Sequence, residues 1–328
     1  MKMDSMEELT AVVVAGPVRE RAQKVVDRLC NQTLANRLAI VIVDVAGDEF
    51  ADLRTGGESR IIYLRRPPEA TWGTARAEGW RASGSAAVAF IEDHCFPART
   101  WAEHIADSYR TGNWAAVGYA FTNANPSSRT SRASFLADYG IYAHPAESGG
   151  VVRTQSNNIS YRRDAVERLG TPLELFLEND WNAQKALRDA GGRIYQDARA
   201  LAAHHNFESI GEIMEEGFSH CRTMAATRVQ HEGWSAARRY AQGLATFPVA
   251  PVVRGYRLLR QVWKKPWQRK ELLRALPELA AAFASAVSGE AVGYLAGIGN
   301  ADSTLRHALL ASSRSRSEPV SAPGKTSS

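Results

Sequence analysis

The chain has 328 residues, 45% of them hydrophobic and 23% charged, which excludes a disordered or collagen-like polypeptide and leaves room for about two structural units with a large core. With 40 basic residues against 35 acidic ones the net charge is +5, too slight an excess to indicate nucleic acid by itself. The three cysteines, Cys30, Cys95 and Cys221, lie far apart without CxxC spacing, which excludes a disulfide framework or zinc finger and fits a reducing cytoplasm.

The opening MKMDSMEELTAVVVAG has acidic residues ahead of a short apolar run, with neither a basic n-region nor a small-residue cleavage site, so no secretory signal is expected. Residues 11–15 (AVVVA) and 38–45 (LAIVIVDV) read as β-branched strands, separated by a segment in which Val25, Val26 and Leu29 recur at helical spacing. A further apolar run at 61–64, the helical pattern TARAEGWRASG and a strand at 86–91 continue the alternation. The expected product is an α/β fold with a Rossmann-like, mostly parallel sheet covered on both faces. Ligands of such sheets sit beyond the carboxyl ends of the strands, where Asp44 and the trio Glu92, Asp93, His94 fall.

A loop-rich middle containing NANPSSRTSR follows, then a helix that Asp164 can cap and Gly170 can end. Another helix is expected over 179–190, ended by Gly191 and Gly192, before a strand around 193–195. From about 210 to about 307 helical patterns dominate, punctuated by Pro248, Pro251, Pro266 and Pro277, and 311–328 has the composition of a disordered tail. The expected division is therefore 1–209, a catalytic α/β domain, 210–310, a C-terminal helical extension, and the tail 311–328. Arg254 and Arg257 interrupt one apolar stretch and Glu278 and Glu290 another, so no membrane-crossing helix is expected.

The motif FIEDHCFP puts carboxylates and an imidazole at the end of a buried strand. Carboxylate oxygens suit Mg²⁺ or Mn²⁺ and an imidazole is compatible with Mn²⁺. The same residues also fit a plainer role, with Asp93 capping the helix after Pro97 and its neighbours solvated.

In order along residues 10–205 the chain resembles a family 2 glycosyltransferase of the inverting, GT-A type. The resemblance is carried by Pro17-Val18-Arg19-Glu20-Arg21 after the first strand, by IVIVDVAGD ending in Asp44, by TARAEGWRASGSAAVAFIEDHCFP, and by NNISYRR, ENDWNAQKALRDAGGRI and a late histidine. The chain departs from the family where Asp-x-Asp becomes Glu92-Asp93-His94, where Ala-Arg-Asn becomes Ala75-Arg76-Ala77, and where Glu-Asp becomes Asn179-Asp180.

The resemblance implies a nucleotide-sugar donor, a divalent metal (Mn²⁺ or Mg²⁺) and single-displacement inversion. Pro17, Arg21, Asp44, Arg76 and Asp93 would bind the donor, Glu92, His94 and His204 the metal, and Asn158 and Trp181 the acceptor or sugar. Asp180 would take the acceptor proton. On their own, Asp180 equally fits a helix cap or a partner of Arg188, His204 a solvated histidine, Arg76 a surface ion pair, and Asp44 a turn with Gly47.

Between 254 and 274 eight basic residues meet one acid, Glu271, with Tyr256, Trp263 and Trp267 interleaved. This stretch suits an anionic membrane surface and equally suits a helix packed on the core with a solvated basic face; no nucleic-acid motif accompanies it. The combined expectation is a cytoplasmic enzyme, peripheral on the inner face of the membrane, transferring a sugar to a glycan or lipid-linked acceptor. Two rivals remain. A nucleotidyltransferase would need a Gly-rich phosphate loop where AGPVRERA has one glycine, and a degenerate paralogue would keep the fold as a binding or scaffold protein without chemistry.

Overall fold

A computed structural model describes residues 8–301, 303 and 304 of the chain; the expected tail at 311–328 lies outside the described residues, as does the end of the expected helical region. In chain order the elements are β1 (Leu9–Ala15), α1 (Arg19–Cys30), β2 (Leu38–Asp44), β3 (Ile61–Arg65), α2 (Trp72–Arg81), β4 (Ala87–Glu92), β5 (Cys95–Pro97) and α3 (Trp101–Thr111). They continue with β6 (Ala116–Asn123), α4 (Arg129–Asp138), β7 (Gly149–Val151), β8 (Ile159–Arg162), α5 (Arg163–Glu167), α6 (Leu173–Glu178), α7 (Asp180–Asp189) and β9 (Ile194–His204). The long helices α8 (Ile210–His231), α9 (Ala236–Lys264) and α10 (Gln268–Ala296) complete the described fold.

The strands form a nine-stranded sheet in the order β3-β2-β1-β4-β8-β6-β9-β5, with β7 on β9. Strands β1, β2, β3, β4, β6 and β9 point one way, and β5, β7 and β8 run against them. Every residue of β1, β2 and β4 is buried, because helices cover both faces and only continuous apolar runs fit between them. Alternation along β1 divides its side chains between two cores. Leu9, Ala11 and Val13 join Leu29 and Trp101, whereas Val12 and Val14 join Trp80 and Phe90. Gly79 lets α2 lie against β1, since a Cβ there would stand 2.3 Å from Val12 Cγ1.

Three expectations change. The loop-rich middle contains α4, started by Ser128, whose hydroxyl accepts from the Ser131 N–H, a cap that outweighs the loop-like composition before it. The strand expected at 193–195 runs on to His204, held by β6 on one side and β5 on the other. Pro248, Pro251 and Pro277 lie inside α9 and α10 rather than ending them, and Pro266 stands between the two helices. Pro248 and Pro251 are exposed, so carbonyls left without a donor face water.

Helix α10 contains the apolar stretch that Glu278 and Glu290 interrupt, is rich in small residues, and by length and composition alone could cross a membrane. Its glycines meet α8 at close range: a Cβ on Gly289 would stand 2.1 Å from Phe218 O, and one on Gly293 would stand 2.4 Å from Arg222 O. Leu279 and Ala275 of the same helix join Leu136 of α4 in a third apolar cluster, which fastens the helical region to the α/β part.

Candidate active site

The register of the sheet assembles the expected metal ligands. Glu92 is the last residue of β4, His204 the last of β9, and Cys95 of β5 pairs with His204, which brings His94 beside it. Ligand atoms of Glu92, His94 and His204, all three buried, lie within 4.8 Å of one another. Glu92 Oε2 is 3.3 Å from His204 Nε2 and 3.8 Å from His94 Nε2.

Both imidazoles are oriented from behind. His94 Nδ1 is 2.9 Å from Asp93 Oδ1, and His204 Nδ1 is 2.9 Å from Asn206 Oδ1. The Asn206 amide nitrogen donates to Asn123 Oδ1 and to His204 O, so its oxygen is the acceptor at the ring. With Nδ1 of each ring donating to these oxygens, Nε2 is the nitrogen that faces Glu92 and that a metal ion would take, the arrangement that metal-binding histidines adopt.

Glu92 is held as firmly. Its backbone N–H donates to Asn158 Oδ1 at 3.0 Å, and its carboxylate accepts from Asn158 Nδ2 at 2.5 Å, the Tyr139 hydroxyl at 3.1 Å and Asn157 Nδ2 at 3.0 Å. Burial, and then the Glu92 charge, push the Tyr139 hydroxyl well above its ordinary pKa, so it stays a donor. Asn158, expected at the acceptor or sugar, is wholly buried and serves Glu92. Two imidazole nitrogens and a carboxylate oxygen, each backed by a hydrogen-bonded partner, form a donor set that fits a divalent transition metal.

Asp180 is the first residue of α7, and Asn179, not Asp180, caps the helix by accepting from the N–H groups of Trp181 and Asn182. The Asp180 carboxylate, 3% exposed, meets four donors. Arg76 grips it with two bonds of 2.9 and 3.1 Å, the Tyr161 hydroxyl reaches Oδ1 at 2.5 Å, and the Asn157 N–H reaches Oδ2 at 2.7 Å. Burial works against the Arg76 charge, but Asp180, Tyr161 and Glu92 outweigh it and hold its pKa above the ordinary value. Arg76 is thus an interior ion-pair partner and not a surface one.

On the other side of Glu92, Asp93 turns toward the β1–α1 loop. Its Oδ2 accepts from the Gly16 N–H at 2.9 Å and its Oδ1 lies 3.3 Å from Arg21 Nη2, with Arg21 buried on the inner face of α1. Asp44 is engaged by a residue that the sequence reading did not select. Arg19 binds it through two bonds of 3.0 and 2.6 Å, and the Tyr63 hydroxyl also donates to it. Burial raises the Asp44 pKa, but Arg19, Tyr63 and the Ala46 N–H outweigh that and bring it below its ordinary value. Burial and then Asp44 push Tyr63 up to about 12. Pro17 sits in the same loop, half-buried.

A cavity of about 680 Å³ runs from the triad to α8, α9 and α10. Glu92, His94, His204 and Trp181 line it; Pro17, Arg21, Asp44, Arg76, Asp93, Asn158 and Asp180 do not. Trp181 is 46% exposed, and the Arg153 guanidinium lies 3.7 Å from its ring centroid. The expected residues thus form three groups: Pro17, Arg21, Asp44 and Asp93 at the β1–α1 loop, Glu92, His94, His204 and Trp181 at the cavity, and Arg76, Asn158 and Asp180 buried beside it, joined to it through Glu92 and Asn157. Tyr139, Asn157, Asn206, Arg153, Arg19 and Tyr63 complete them. Arg19 was legible in the Pro17–Arg21 stretch, whereas the others needed the register.

Residues 12–170 match the family model described as Glycosyl transferase family 2. No curated protein matches the chain.

Proposed function

We propose that the chain, whose residues 12–170 match the family 2 glycosyltransferase model, transfers a sugar, with inversion, from a nucleoside-diphosphate donor to a glycan or lipid-linked acceptor. The observation that supports this reading best is the buried Glu92–His94–His204 triad, which sits at strand ends and opens on a cavity large enough for an acceptor. Glu92, His94 and His204 would hold a divalent cation, which supplies Lewis-acid stabilisation of the leaving diphosphate. With two imidazoles in the set, Mn²⁺ suits it better than Mg²⁺, which prefers oxygen ligands and retained waters.

The nucleoside would lie against Asp44 and Pro17, where Arg19, bonded to Asp44, supplies the charge while the buried Arg21 pairs with Asp93. Asp93 ties this loop to the triad, since one carboxylate holds Gly16, Arg21 and His94. Arg76 acts through Asp180, with both of its terminal nitrogens already bonded there.

Asp180 is the proposed base. Of its donors Asn157 alone lines the cavity, and Asn157 stands in the left-handed region at φ 64°, which asparagine adopts more readily than other residues with a Cβ. Withdrawal of the Asn157 N–H frees an Asp180 lone pair for the acceptor hydroxyl, while Arg76 and Tyr161 keep the carboxylate aimed. Trp181, beside it on α7, offers an exposed ring for stacking a sugar.

The same reading places the chain at the inner surface of a membrane. Val252, Tyr256, Leu259 and Trp263 recur at helical spacing on α9 and are 70, 65, 63 and 78% exposed, and Arg260, Lys264, Arg269 and Lys270 accompany them. Such a basic, aromatic face suits an anionic bilayer.

The function is tested by incubating the full chain with UDP-, GDP- and dTDP-sugars and following release of the nucleoside diphosphate with Mn²⁺, with Mg²⁺ and with EDTA. Metal-dependent release from one donor supports the reading; no release from any donor, with or without candidate acceptors, counts against it.

A further inference from the structure

Where α9 passes into α10, three side chains reach back to the backbone that leads out of α4. Gln261 Nε2 donates to Leu136 O at 3.3 Å, Gln268 Nε2 to Gly140 O at 2.8 Å, and Lys265 Nζ to Ala143 O at 2.5 Å and Pro145 O at 3.3 Å. Gln261 Nε2 also donates to Gln268 Oε1 at 2.9 Å, which ties the two amides together. Leu136 lies in the last turn of α4, whose carbonyls have no intrahelical donor, and Gln261 supplies one. The fit is close, since a Cβ on Gly140 would stand 1.9 Å from Gln261 Nε2.

Gln268 is wholly buried, and an amide so enclosed costs free energy unless its donors and acceptor find partners. An apolar side chain would extend the adjoining cluster of Leu136, Ala275 and Leu279 without that demand. What the two amides add is a fixed position for the backbone they hold. That backbone carries Tyr139. The Tyr139 hydroxyl donates to Glu92 Oε2 at 3.1 Å, and its ring lies against that of His204 with centroids 4.0 Å apart and planes tilted by 31°. Tyr139 thus touches two of the three clustered ligand residues, and the side chains that place it stand outside residues 12–170.

We propose that Gln261 and Gln268 are positioning residues of the cation site. By holding the carbonyls of Leu136 and Gly140 they fix Tyr139, and Tyr139 in turn fixes the Glu92 carboxylate and the His204 ring. Neither glutamine is a ligand; each acts through Tyr139. The helical region is then a working part of the metal centre. The assignment rests on reading Glu92, His94 and His204 as a divalent-cation site.

The test is calorimetric titration of the full chain with Mn²⁺, in the absence of nucleotide. Gln268→Met keeps length and bulk and removes the amide, and should weaken Mn²⁺ binding about tenfold; Tyr139→Phe should do the same. The double variant should bind only slightly more weakly than Tyr139→Phe, because losses along one route do not add. Gln261→Met, at a half-buried position, should weaken binding in the same direction and carries the test if Gln268→Met does not fold. Leu279→Ala, in the same interface but outside these bonds, should lower stability and leave Mn²⁺ affinity unchanged. Wild-type affinity in Gln261→Met and Gln268→Met alike overturns the assignment, as does a double variant whose losses multiply or an equal loss in Leu279→Ala. If Mn²⁺ binding is lost in His204→Ala but not in the glutamine variants, the positioning role alone fails. If Mn²⁺ does not bind wild type, the cation-site reading fails and the assignment with it.

Discussion

Glu92 and Asp180 are joined through one residue: Asn157 gives its side-chain amide to Glu92 Oε1 at 3.0 Å and its backbone N–H to Asp180 Oδ2 at 2.7 Å. A left-handed φ of 64° makes both bonds reachable from one position. Asn157→Gly keeps the backbone bond and removes the amide, so Mn²⁺ affinity should change while stability stays near wild type. Asn157→Ala loses the amide and keeps a Cβ in this region without the side chain that lets asparagine tolerate it, and should unfold at about 1 kcal/mol less stability than the glycine variant. Urea titrations of the two variants, compared side by side, measure this difference.

Breaking the Arg76–Asp180 pair should cost more than removing it. Both side chains are almost wholly buried, so Asp180→Ala or Arg76→Ala leaves an unbalanced interior charge, at about 3–5 kcal/mol. The double variant Arg76→Met with Asp180→Leu should be more stable than either single one. Two singles that both unfold like wild type would show that the charge pair is not enclosed as described. Asp180→Asn, which keeps the shape, should lower transfer by about 10²–10⁴-fold if it removes the base.

The oriented histidines give a further expectation. Asp93→Asn and Asn206→Ala do not touch a ligand atom of Glu92, yet each loosens one imidazole and should lower Mn²⁺ affinity by about 10–100-fold. His94→Ala should lower it at least as much. Titration of Mn²⁺ into each variant separates these effects from any loss of activity.

Asp44 gives a pH dependence with a definite sign. Its folded pKa lies below its ordinary value because Arg19 and Tyr63 outweigh burial. Its contribution to stability is therefore complete above the unfolded carboxylate pKa of about 4 and is lost as the pH falls through the depressed folded value. The stability gap between wild type and Asp44→Asn should be wide at pH 7 and should close toward pH 3, as chemical denaturation at each pH would read. A gap that widened on acidification would mean that Asp44 is not stabilised as an anion.

The exposed face of α9 predicts vesicle binding. Wild type should co-sediment with phosphatidylglycerol vesicles and not with phosphatidylcholine vesicles, and the pair Trp263→Ser and Tyr256→Ser should abolish sedimentation without altering the far-ultraviolet spectrum. Equal sedimentation with both lipids would assign the face to something other than an anionic bilayer.

The βαβ alternation was legible because β1, β2 and β4 are continuous apolar runs, which only a sheet covered on both faces accepts. Glu92 and His94 were legible as neighbours at a strand end, and His204 through the ordered motifs. What joins them was not, because Asn206 owes its place to the β5–β9 register, Asn157 to a left-handed turn and Tyr139 to the end of α4, a helix hidden in the sequence. Helix α4 was hidden by the Asn, Pro and Ser residues before it. Prolines inside α9 and α10 misled because a helix packed on one side tolerates a lost bond on the other. The cavity itself depends on how three helices dock on α4, a long-range arrangement that helical spacing does not encode.

The most direct measurement is calorimetric titration of nucleotide-sugars into wild type and His204→Ala, each with Mn²⁺ and again with EDTA. One donor should bind wild type in the presence of Mn²⁺, and its affinity should fall at least about tenfold on adding EDTA and equally in His204→Ala. Donor binding that ignored both EDTA and the loss of His204 would contradict a metal site at Glu92, His94 and His204, and binding of no donor at all would contradict the transferase itself.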